Sequence, residues 1–301
     1  MNRRTFGALL GGALGGAVAP AWSAEPIPFR FRYLVASSLY GTTPLAELLP
    51  EVRKLGAEHI DLWPRIHGNQ REQVDELGRE AFTALLKQHG VKLASTTRYD
   101  LGPLKLQDEM RFVKTLGGSL IVTGSGGPKN LAGAELTAAM KALAERLKPH
   151  LAVAEELGVT IAIENHAASL VDSPESIGML LEHVKSPRLG LALAPYHLAQ
   201  DAGLISRLIA EAGSRLAVFY AWQHGRGSAK AQPPEDELLQ LPGRGPLDFR
   251  PIVAALKRIH FAGWTAPFMH SFPRGRAILP SVAATTAELR RACVHLEGLL
   301  K

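Results

Sequence analysis

The chain of 301 residues contains one cysteine, Cys293. An intrachain disulfide is therefore excluded, and no CxxC or Cys/His zinc pattern exists. On a predicted C-terminal helix, Cys293 reads as a small buried hydrophobe. Charged residues make up only 21% of the chain, and the formal net charge is +6. The basic residues are spread among acids, as in Glu51-Val52-Arg53-Lys54 and Arg71-Glu72. With no basic run interleaved with aromatics, nothing in the sequence points to nucleic acid. No apolar run is long enough for a stable membrane span. Neither GxGxxG nor GxxxxGK[ST] follows the first strand-like segment, which argues against a dinucleotide or P-loop fold. Gly124-Ser125-Gly126-Gly127-Pro128 lacks the Lys and the spacing, and reads as a tight turn.

What is present is ample for a large core, since 46% of the residues are hydrophobic. The first 24 residues differ from the rest. Asn2-Arg3-Arg4-Thr5-Phe6 is a twin-arginine start, followed by a Gly/Ala-rich apolar run from Gly7 to Ala19 and small residues near Ala21 to Ala24. This pattern predicts a twin-arginine-type signal peptide over residues 1–24 and a periplasmic or secreted protein. An N-terminal membrane anchor is the other reading. Residues 25–301 are expected to form a single domain.

That domain alternates short apolar runs with amphipathic segments. Strands are predicted over Phe31–Ala36, Ile60–Trp63, Val91–Ser95, Ser119–Thr123, Thr160–Glu164, Leu189–Ala194, Leu216–Ala221 and Trp264–Phe268. Helices are predicted between them, among them one from about Gln73 to His89. Gly56, Gly90, Gly117 and Gly158 stand where left-handed helix stops are expected. Eight strand–helix units in about 270 residues predict an α/β fold, a (β/α)8 TIM barrel.

On such a barrel the carboxyl ends of the strands form one ring, so distant residues converge. Ile161-Ala162-Ile163-Glu164-Asn165-His166 shows the pattern most clearly, a buried strand ending in three polar groups. Pro195-Tyr196-His197, Gln223-His224 and Met269-His270 end later strands in the same way. The ring also includes Trp63, His67, Arg98, Tyr99, Asp100, Trp222 and Arg274. Glu164, His197, His224 and His270 supply one oxygen and three nitrogens. That set suits one divalent transition metal per chain (Mn, Zn, Co or Fe) better than calcium. Trp63, Tyr196 and Trp222 read equally as core residues or as platforms for the apolar face of a sugar. His67, Arg98, Asn165, His166 and Gln223 complete the expected substrate contacts. The connection from about His224 to Leu247 is long, as a lid or a disordered loop would be.

From about residue 30 to residue 300 the sequence resembles the xylose-isomerase-like barrel family, the sugar phosphate isomerase/epimerase group. The most specific piece is Pro242-Gly243-Arg244-Gly245-Pro246-Leu247-Asp248-Phe249, then Phe261-Ala262-Gly263-Trp264. In that family a glycine-rich turn and Asp-Phe start the seventh helix, and Gly-Trp precedes the eighth strand. The resemblance implies that Glu164 is a metal ligand and catalytic base, and that His197 contacts substrate or metal. Two family ligands are replaced, by Ala194 on the sixth strand and Phe268 on the eighth. His270 lies two residues on and shares the strand face of Phe268. The expectation is an exported, metal-dependent isomerase or epimerase of a sugar or keto-sugar, with Glu164, His197 and His270 catalytic. A lyase or glycoside-cleaving enzyme on keto-sugars and a non-catalytic sugar-binding barrel are the alternatives. The expected partner is a small carbohydrate, and self-association is left open.

Overall fold

The computed structural model describes residues 28–167, 169–224 and 230–301. The expected signal peptide lies outside the described residues. Eight parallel strands run in sequence order around one sheet: β1 (Leu34–Ala36), β2 (His59–Leu62), β3 (Lys92–Thr97), β4 (Leu120–Gly124), β5 (Thr160–Glu164), β6 (Leu189–Leu193), β7 (Leu216–Ala221) and β8 (Trp264–Pro267). A bridge from Tyr33 to Thr265 joins the last strand to the first. The strands are near-continuous apolar runs because helices cover them outside and packed side chains fill the inside. All five residues of β4 and of β6 are buried.

The helices are α1 (Leu45–Lys54), α2 (Gln70–Leu77), α3 (Arg79–His89), α4 (Gln107–Thr115), α5 (Gly133–Leu157), α6 (Pro174–His183), α7 (Ala202–Ala212), the single turn α8 (Pro234–Glu237), α9 (Phe249–Arg258) and α10 (Val282–Gly298). The helix expected from Gln73 to His89 is two helices, broken at Gly78, whose φ is +85°. The four expected glycine stops all have positive φ, between +62° and +85°. Among the described residues no helix is long and apolar enough to cross a membrane.

The two segments most specific to the resemblance have plain physical roles. The Asp248 carboxylate accepts the Arg250 amide at 2.9 Å, capping α9, and Phe249 is buried beside it. Gly263 enters β8 with no room for a side chain. A Cβ there would lie 2.5 Å from the Ala217 carbonyl oxygen and 2.8 Å from that of Leu216. The Phe261 ring edge, also 2.5 Å away, could turn aside, but the two backbone oxygens could not. Gly263→Ala is expected to lower unfolding free energy by about 1–3 kcal/mol in urea titration, the cost of overpacking. A change within measurement error would show that β7 and β8 separate freely.

Candidate active site

The carboxyl ends of the strands surround a cavity of about 440 Å³. Its floor and walls are aromatic. Trp63 stacks on Phe268 with ring centroids 5.5 Å apart, and Trp222 meets Phe268 edge-on at 4.9 Å. Trp63 is held from below: its indole N–H donates to Asp61 at 2.6 Å, and Asp61 also accepts from Ser95 and Thr97 at 2.8 and 2.7 Å. Burial pushes the Asp61 carboxyl up to about 6, against the pull of those three donors. The signal for this support is an acid inside the apolar strand run Ile60-Asp61-Leu62, since acids are almost never buried without partners. Asp61 is not among the site residues expected from the sequence.

Glu164, the last residue of β5, is 3% exposed and faces the cavity. The Tyr99 hydroxyl donates to its Oε2 in a short hydrogen bond. Its Oε1 lies 3.8 Å from His197 Nε2, on the single turn Pro195–His197 that follows β6. Desolvation raises the Glu164 carboxyl to about 8, the Tyr99 hydrogen bond pulling it down and Asp61 pushing it up. Burial and then Glu164 itself push the Tyr99 phenol well above its usual value. Burial depresses the His197 imidazole to about 3, with help from His166, His224 and Arg274. Glu164 and His197 therefore stand side by side as two largely neutral groups at pH 7, not as an ion pair. Nε2 of His197 is buried and has no hydrogen-bond partner.

Opposite them, His67 Nδ1 and His270 Nε2 lie 3.0 Å apart. One ring donates and the other accepts, so the two tautomers are linked. Burial lowers His67 to about 4 and drives His270 well down, with Arg274 adding to both shifts. His166 also lines the cavity, its ring 4.2 Å from that of His197, and it too is depressed by burial. Among the described lining residues, Glu164 is the one carboxylate and Arg274 the one arginine.

The structure thus brings Trp63, His67, Glu164, His166, His197, Trp222 and His270 to one cavity. It places the other expected site residues elsewhere. Arg98 is drawn into ion pairs with Glu109 at 2.5 Å and Asp100 at 2.7 Å, outside the cavity wall. Asn165 is fully buried and spends its amide on the backbone of Ala194, donating at 3.0 Å and accepting at 2.8 Å. Gln223 is likewise buried, donating to the Leu241 carbonyl at 2.8 Å and accepting from the Leu247 amide at 2.9 Å. It ties the Gly/Pro-rich connection to the end of β7. The expected lid is therefore strapped down over residues 238–247, while residues 225–229 lie outside the described residues. Tyr196 stacks flat on Trp222, with centroids 3.9 Å apart and planes 5° apart, behind the cavity wall. His224 is exposed and packs edge-on against Tyr196 at 4.8 Å.

The family described as xylose isomerase-like TIM barrel matches residues 49–281 of this chain. No curated protein matches the sequence. Among solved structures, an L-ribulose 3-epimerase is similar, at 16% identity over 90% of this chain and 95% of that one, with a TM-score of 0.66. A D-psicose 3-epimerase from Clostridium cellulolyticum H10, solved with D-tagatose, is similar at 14% identity over 90% and 100%, with a TM-score of 0.66. An IOLI protein with a binding zinc atom is similar at 15% identity over 88% and 98%, with a TM-score of 0.69. At these identities the likeness establishes the fold.

The zinc in that structure poses the question of fit. The expected ligand set Glu164, His197, His224 and His270 does not converge here. Glu164 is held by Tyr99, His270 faces His67, and His224 sits on the far side of Tyr196. Among the described residues no group of three or more His, Cys, Asp or Glu side chains is placed to hold an ion. The donors do not fit a resident divalent metal. Metal analysis of the purified protein is expected to give far less than one ion per chain. One ion per chain, lost on Glu164→Ala, would overturn this reading. Asn165→Ala strips the Ala194 amide and carbonyl of their buried partners, so a loss of about 2–4 kcal/mol in urea unfolding is expected. An unchanged midpoint would show that water takes the amide's place.

Proposed function

The chain belongs to the xylose isomerase-like TIM barrel family, and from that premise we propose that it is a sugar isomerase using a single carboxylate base. The observation that carries the reading is Glu164, buried at the end of β5 between Tyr99 and His197 as the one carboxylate among the described cavity residues. The names of the similar structures, sugar 3-epimerases, support a carbohydrate with a carbonyl beside a hydroxyl-bearing carbon. The aromatic walls Trp63, Phe268 and Trp222 suit the apolar face of such a ring or chain.

A general base works best when its pKa lies near the working pH. Burial brings Glu164 to about 8, which makes its carboxylate far more basic than an exposed one. In its ionised form Glu164 takes the proton from the carbon beside the carbonyl. The C–H electron pair becomes the C=C bond of an enediol, and the carbonyl oxygen takes up a proton. Glu164, now protonated, returns the carbon-bound proton to the neighbouring carbon on the same face, exchanging the positions of carbonyl and hydroxyl. The oxygens must also trade a proton. The linked His67–His270 pair serves here, because a neutral imidazole both donates and accepts, and burial keeps both rings neutral. Tyr99 steadies the Glu164 carboxylate whenever it forms.

One base on one face favours isomerisation over epimerisation, which requires a second acid–base group on the opposite face. His197 is the side chain nearest that role, but its depressed pKa leaves its conjugate acid unpopulated at neutral pH. The Arg3-Arg4 leader supports a further element of the proposal, that the protein is exported and acts on a non-phosphorylated sugar.

Glu164→Gln is expected to cut turnover by about 10²–10⁴-fold with the fold retained, and wild-type activity in that variant would end the proposal. The activity of the wild type is expected to rise with pH through about 8, as Glu164 ionises. Tyr99→Phe removes a hydrogen bond that favours the ionised form, so the rise should move to higher pH. A pH profile unmoved by that change would show that another group sets it. In D₂O, single-base transfer predicts that part of a substrate's carbon-bound hydrogen is kept in the product. Complete exchange with inversion would indicate a two-base epimerase.

A further inference from the structure

The opposite mouth of the barrel, where the strands begin, holds a second and larger cavity of about 560 Å³. Its wall runs past the first residues of β6, β7 and β8 and includes Arg32, Lys185, Arg215 and His260. No aspartate or glutamate is among its described lining residues. Two acids at this end are already engaged. Glu58 pairs with Arg53 at 2.7 Å, and Glu155 accepts from Ser186 Oγ at 2.6 Å.

Arg215 is the anomaly. Its Nη1 donates to the Val184 carbonyl at 2.7 Å, which fixes the guanidinium at the wall. Its Nε and Nη2 are buried and have no hydrogen-bond partner. A guanidinium retains its charge at any ordinary pH, so two unsatisfied donors on it are costly unless an acceptor arrives. Arg32 is also preplaced: its Nη1 donates to the Ala262 carbonyl at 2.6 Å, and the guanidinium lies 4.1 Å over the Trp264 ring. The two arginines are fixed by the backbone, so a ligand need not order them. Nearby His59, at the start of β2 with its ring 4.6 Å from that of Trp264, is lowered by burial first and then by Lys92 and Arg32.

We propose that this mouth is a binding site for a small multiply charged oxyanion, held by Arg215, Arg32 and Lys185. A phosphate or a carboxylate group supplies the paired oxygens that the Nε and Nη2 edge of a guanidinium matches. Arg215, with those two donors buried at the wall, lines this cavity. The site is independent of the cavity at the other mouth and does not rest on the sugar reading.

The test is isothermal titration of the whole protein with inorganic phosphate and, separately, citrate, each at constant ionic strength with chloride as the control. Saturable binding of phosphate or citrate but not chloride is expected, and which of the two binds more tightly separates a phosphate site from a carboxylate site. Arg215→Gln is expected to weaken it by roughly ten-fold or more. Lys185 is exposed, so Lys185→Gln will fold, and it should also weaken binding. Glu164→Gln, at the far mouth, should leave it unchanged. Heats that do not saturate, equal binding of chloride, or equal affinity in Lys185→Gln and wild type would overturn the proposal.

Discussion

Closing eight parallel strands into a ring sends the last residue of each strand to one mouth and removes water from most of what gathers there. Desolvation is the largest cause of shift at Glu164, Tyr99, His67, His166, His197 and His270 alike. It raises the acids and lowers the bases, so each group moves toward its neutral form. A cavity that in water would hold a carboxylate and partly protonated imidazoles instead holds neutral donors and acceptors. The fold gains nothing by ionising Glu164. With its pKa raised from 4.5 to about 8, its contribution to stability is full below the unfolded value and is lost as pH rises through 8. The chemistry proposed for the site uses that unfavourable ionisation as the source of basicity.

The architecture was legible because it depends on periodic features. Apolar runs and amphipathic stretches recur eight times, four of the helices end at the expected glycine stops, and each feature carries its information within a few residues. The convergence of Glu164, His166, His197 and His270 followed from the barrel alone. What a polar strand-end residue does was less legible, because its partner lies far off in sequence. Asn165 finds Ala194 29 residues away, Gln223 finds Leu247 24 away, and Arg98 finds Glu109 across the start of α4. Each of these side chains satisfies buried backbone or a buried charge, and so is unavailable to a ligand. Nothing in the residue type distinguishes an amide that braces two strands from one that binds a sugar.

The expected ligand set Glu164, His197, His224 and His270 does not converge among the described residues, for a related reason. Residue type and strand position show which donors reach the mouth, but a coordination shell needs them to point at one spot. Here two of them are taken by other side chains: His270 by His67 and Glu164 by Tyr99. Phe268 packs between Trp63 and Trp222 as part of the aromatic wall. Asp61 fixes the Trp63 ring that completes that apolar surface.

A buried, largely protonated Glu164 carboxyl group at neutral pH is open to infrared difference spectroscopy of the wild type against Glu164→Gln. A protonated carboxyl stretch at pH 7 is expected that is absent from the variant and disappears with a midpoint near 8. A Glu164 carboxylate already ionised at pH 6, with no such band, would contradict it.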